Sequence, residues 1–183
     1  MPPRWSASWA VARGAVSEAL RGRANVRVVI PGEEAAAERA GDAWRLAAGT
    51  SVPYLVHDAD PLAGVADAWV RRFDETGAAW ELEVAVADLV ARWRARAVGL
   101  PDYYLVREAE SLTPTRRHWY LGFLHGAAPA RVVPASGPGS ALADELGRLP
   151  TGRWWPDVDR LLDGVELLVP DQAGSGTLAA WPT

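Results

Sequence analysis

Apolar positions along this chain follow two alternating periods. Four short runs, NVRVVIPG (25–32), SVPYLVHD (51–58), PDYYLVRE (101–108) and ARVVPAS (130–136), are rich in β-branched and aromatic residues and end in turn-forming or polar clusters. They predict strands. Between them the period becomes helical. Ala36, Ala40, Ala43, Trp44 and Ala47 make one stripe in the segment from Glu33 to Ala48. Leu62, Val65, Trp69 and Phe73 make another, Thr76 and Gly77 interrupt it, and Leu82, Val86, Leu89, Val90 and Trp93 resume it. A further helix starts near Thr113 and Pro114 and presents Trp119, Tyr120, Phe123 and Leu124. After the fourth run, 140–149 predicts a short helix. Pro156 to Val169, with Val158, Leu161, Leu162, Val165 and Leu168 at helical spacing, predicts a longer one.

Strands alternating with helices imply parallel pairing through right-handed crossovers. The expected fold class is α/β: a mostly parallel sheet of four or five strands with helices on both faces, a Rossmann-like three-layer sandwich. RGAVSEALRG (13–22) reads as a helix, and SASWAVA before it is either a fifth strand or an irregular lead-in. At 183 residues one domain is expected over 1–170, with DQAGSGTLAAWPT (171–183) as a flexible tail unless Trp181 docks.

Composition narrows the function classes. An apolar fraction of 49% with 23% charged residues matches ordinary globular usage. No apolar stretch is long enough to span a bilayer, and Arg13 and Glu18 interrupt the region where a signal peptide needs its apolar core, so a cytoplasmic location without membrane contact is expected. The absence of cysteine removes disulfides, thiolate metal sites and thiol nucleophiles. Lysine is absent too, which removes Schiff-base and P-loop lysines. A net charge of −4 disfavours nucleic acid as a partner.

In an open parallel sheet, ligands bind beyond the carboxyl ends of the strands. Those ends carry Glu33 and Glu34, then His57, Asp58 and Asp60, then Arg107, Glu108 and Glu110, then Ser136. Glu33, His57, Asp58, Glu108 and Ser136 are therefore candidate ligand-binding residues, with Asp58 and Asp60 as candidate metal ligands for Mg²⁺ or Mn²⁺. Asp58-Ala59-Asp60 after a hydrophobic strand resembles a fragment of Toprim domains and of nucleotide-sugar glycosyltransferases. In both, it supplies metal-binding carboxylates. Glu33 or Glu34 could stand for the earlier glutamate of Toprim proteins, but the strand and helix that normally intervene have no room here. The competing explanation is local, because Asp at a helix N-cap followed by Pro61 at the first helical position is a common helix start. It is the favoured one.

Other features point less far. His118 and His125 share a helix face but are separated by roughly 10.5 Å of axial rise, too far to hold one zinc. Arg116, Arg117 and His118 read as a solvated basic turn. SGPGS (136–140) reads as a plain loop, since Pro138 removes a donor that a phosphate cradle needs. No nucleophile elbow, dinucleotide fingerprint or P-loop occurs. Ten tryptophans need an account. Trp44, Trp69, Trp93 and Trp119 lie on apolar stripes and are expected in the core. Trp154 and Trp155 precede Pro156 in a loop, as either a lid on the core or an interaction anchor.

The expected function is an α/β binding or protein-interaction domain without assignable chemistry, taking a protein partner or a small ligand; a homo-oligomer is possible. The alternative is a divalent-metal-dependent enzyme acting on a phosphorylated or nucleotide substrate through Asp58 and Asp60.

Overall fold

The run PDYYLVRE becomes a strand with all five residues buried, Tyr103–Arg107. A strand hidden on both sides needs packing partners on both, and the rest of the fold supplies them. The computed structural model describes residues 5–9, 20, 23–29, 36–135 and 142–170. The chain is a mixed α/β protein. Strands β1 (Trp5–Trp9), β2 (Val26–Val29), β3 (Tyr54–His57), β4 (Tyr103–Arg107) and β5 (Val132–Ala135) lie in the order β2-β3-β1-β4-β5, and every adjacent pair is parallel. The SASWAVA region, whose small residues give little apolar signal, thus contributes the central strand.

Helix α1 (Ala36–Gly49) links β2 to β3, and α2 (Ala63–Phe73) with α3 (Ala79–Arg94) links β3 to β4. From β4 the chain reaches β5 through α4 (Pro114–His118), a π-helical turn (Trp119–Leu124) and α5 (His125–Ala127). Successive strand residues point to opposite faces. Tyr104 and Val106 therefore join Leu62, Trp69, Leu82, Trp119 and Leu124 in one core, whereas Tyr103 and Leu105 join Val56, Leu20, Leu142 and Leu146 in another. Helix α6 (Leu142–Leu146) covers the second face, and α7 (Val158–Leu161) returns to the first.

Three expectations change. The helix expected over Pro156 to Val169 is broken: α7 has four residues, Gly164 adopts φ 70°, and a 3₁₀ turn follows at Val165–Leu167. Glycine tolerates that left-handed backbone. The Trp69 indole N–H then donates to the Val165 carbonyl at 3.1 Å, which ties the turn to the core. The residues after Thr113 start as expected, with the Thr113 hydroxyl accepting from the Arg116 N–H at 3.3 Å, but they pass into the π-helical turn. There i→i+5 bonding lets Trp119, Tyr120, Phe123 and Leu124 all be buried together. Finally, the basic turn is not a solvated one, because Arg116 pairs with Asp67 and the His118 ring stacks on Trp69 at 6.1 Å.

Among the described residues no helix is long and apolar enough to cross a membrane. Glu33, Ser136, the SGPGS segment, most of 13–22 and the expected tail 171–183 lie outside the described residues.

Candidate functional site

At the carboxyl end of β3 the chain turns through Asp58 and Ala59 into Asp60 and Pro61. Asp60 is buried, and its Oδ1 accepts the Leu62 N–H at 2.8 Å in the turn before α2; the helix cap is Leu62, two residues beyond the expected one. That oxygen also accepts the Tyr104 hydroxyl at 2.8 Å, and Oδ2 accepts the Tyr120 hydroxyl at 3.0 Å. Burial pushes the Asp60 carboxyl above the ordinary range, while the bonds from Tyr104, Leu62 and Tyr120 and the charge of Arg116 pull it down. Both phenols are pushed well above their usual range by burial and by this carboxylate. A cation at Asp60 would have to displace two phenolic donors. Asp60 holds the turn that leads into α2, and it is sunk into the core.

The neighbouring candidates do not gather round it. His57 is 5% exposed, and among the described residues its Nδ1 has no hydrogen-bond partner. Burial lowers its pKa from 6.5 to about 4, against a hydrogen bond to the Ala59 backbone, so the ring is neutral at pH 7. Asp58 is half-buried at the strand end. Glu108 is exposed on a left-handed backbone at φ 49°. It follows β4, which lies two strand spacings from β3, roughly 9.5 Å. No group of three or more His, Asp or Glu side chains that could hold a metal occurs among the described residues.

The opposite end of the sheet presents a cleft that local patterns did not indicate. Next to Thr50 and Leu55, before and within β3, and to Leu100, before β4, lies a space of about 490 Å³. Trp44, Trp93, Trp154 and Trp155 line it together with Asp102 and Asp157. Trp44 comes from α1 and lies against the backbone of Gly99, where an added Cβ would sit 2.4 Å from the indole. Glycine here makes room for the ring. Trp93 comes from α3, which faces the same cleft.

The loop carrying the two adjacent tryptophans is held at several points. The Trp155 indole N–H donates to the Pro101 carbonyl at 2.8 Å, and its ring meets Tyr104 edge-on at 5.7 Å. Arg131 is buried and donates to the carbonyls of Arg153 at 3.2 Å and Gly152 at 3.0 Å. Its guanidinium lies 4.2 Å from the centre of the Trp154 ring and 4.8 Å from that of Tyr103. The Tyr103 hydroxyl donates to the Pro150 carbonyl at 2.8 Å. Such a wall is formed before any ligand arrives.

The tryptophans therefore divide differently from their sequence pattern. Trp69 and Trp119 are fully buried, as their stripes indicate, but Trp93 is only half-buried and Trp44 is 38% exposed. Trp155 is 7% exposed and belongs to the core, so of the candidate anchor pair only Trp154, at 53%, meets solvent. No single local signal unites Trp44, Trp93 and Trp154, because they come from three separate elements.

Comparison with known protein families, with curated proteins and with solved structures finds no match for this chain.

Proposed function

We propose that this chain is a non-catalytic binding domain, a Rossmann-like three-layer sandwich that takes a small ligand in the tryptophan-lined cleft. The observation that carries the reading is the cleft itself. Its volume of about 490 Å³ falls within the roughly 300–1,000 Å³ usual for ligand sites, and its lining is mainly apolar, four indoles included, with a few polar groups. The supports of Trp44 and of the 150–157 loop mean that little order has to be created on binding. Trp154 at the mouth could also receive the side chain of a protein partner.

A mixture of small fragments titrated into ¹⁵N-labelled protein tests this. Hits should shift the indole N–H resonances of Trp44, Trp93 and Trp154. If hits instead gather at the carboxyl ends of the strands, around His57 and Arg107, the cleft is not the site.

The reading as a divalent-metal-dependent enzyme rests on Asp58 and Asp60, and the three donors on Asp60 weigh against it. It would regain ground if Mg²⁺ or Mn²⁺ raised the melting temperature and Asp58→Asn abolished the rise.

A further inference from the structure

We infer that the cleft ligand is an organic cation with an apolar body, of the alkylated-ammonium class; this rests on the cleft being the binding site. Its charged lining residues among those described are two carboxylates, Asp102 and Asp157, with no arginine or histidine. Asp102 already has a partner within the fold, so the negative charge offered to a ligand is chiefly that of Asp157.

Hydrogen-bonding character points the same way. Carboxylates only accept, and the Trp155 N–H is already committed to the Pro101 carbonyl. Besides Thr50 and the remaining indole N–H groups, the side chains of the lining offer few donors. A neutral sugar brings as many acceptors as donors and would leave several of them unpaired, at a cost in affinity. An ammonium brings no acceptor.

The aromatic walls complete the match. Indole faces carry negative electron density that attracts cations, most strongly where water is excluded. The protein already uses this attraction, since the Arg131 guanidinium stacks against Trp154 and Tyr103. Arg131 is not among the described lining residues, and it occupies one face of the Trp154 ring, leaving the cation to the other indoles. A bare metal ion would need a shell of oxygen ligands that four indoles cannot supply. Alkyl groups on the nitrogen would instead fill the apolar volume.

Three probes separate the possibilities by titration against the cleft indole resonances: choline, its uncharged carbon isostere 3,3-dimethylbutan-1-ol, and methyl glucoside. Choline should bind roughly tenfold more tightly than the isostere. Asp157→Asn keeps an oxygen for its bond with the Asp159 N–H, and it should weaken choline several-fold while leaving the isostere unchanged. If the isostere or the glucoside binds as well as choline, the cation inference is overturned and the cleft stands as a binding site. If no probe shifts the cleft indoles at tens of millimolar, the inference falls; if the fragment mixture leaves them unmoved too, the cleft reading falls with it.

Discussion

His57 should make this protein acid-sensitive in a defined window. Its ring is buried, its Nδ1 has no partner among the described residues, and desolvation holds its pKa at about 4 against 6.5 when exposed. The unfolded chain therefore binds a proton as pH falls through 6.5, and the folded chain declines it until about 4. A depressed folded pKa means that the stabilisation is complete above pH 6.5 and is lost as pH falls toward 4. The full difference corresponds to roughly 3 kcal/mol. Between pH 7.5 and 4.5 the loss is roughly 2–3 kcal/mol, a large part of the ~5–15 kcal/mol that holds a domain folded.

Urea unfolding followed by tryptophan emission at the two pH values reads this directly, with His57→Gln as the comparison. The variant keeps a polar side chain but has no proton to gain, so its stability should vary by roughly 2–3 kcal/mol less than that of the parent protein. Asp60 works in the opposite sense: burial raises its pKa, so its contribution is lost as pH rises through the folded value. It is present in both proteins and cancels in the comparison. Parallel loss of stability in parent and variant would refute the reasoning, since it would mean that the folded state accepts the His57 proton as readily as the unfolded chain.

Other substitutions divide support from binding. Trp155→Ala should cost roughly 3–5 kcal/mol in chemical denaturation, because it empties a core position and leaves the Pro101 carbonyl without its donor. Trp154→Ala, at a half-exposed ring, should cost no more than about 1 kcal/mol, and an equal loss for both would contradict their different burial. Asp60→Ala should destabilise by roughly 3 kcal/mol or more, well beyond the loss of a helix cap, because two buried phenols lose their acceptor; melting unaltered by this change would dissolve the network. Gly99→Ala should displace the Trp44 indole and shift its resonance with only a modest fall in melting temperature, and an unmoved resonance would show that the ring does not rest on that backbone.

Much of the architecture was legible along the chain, because period and burial are coupled locally. Four strands fall within the runs that predict them, and the interruption at Thr76 and Gly77 does separate α2 from α3; Asp60 and Pro61 form the turn before a helix, but the cap position is Leu62 rather than Asp60. Three things depended on the tertiary structure. β1 lies between β3 and β4, although Ser6, Ala7 and Ser8 give little apolar signal, because a central strand is defined by its pairing partners. The isolation of Asp60 comes from Tyr104 and Tyr120, 44 and 60 residues away, and no spacing rule reaches that far. The cleft, too, draws on residues from Trp44 to Asp157. A helical stripe reports that a face is apolar but not what covers it, so the stripe that buries Trp69 and Trp119 leaves Trp44 and Trp93 at the edge of an open space. Local periodicity could place these side chains on helix faces; only the packing of α1, α3 and the 150–157 loop against the amino ends of the strands decided which would be core and which would line a site.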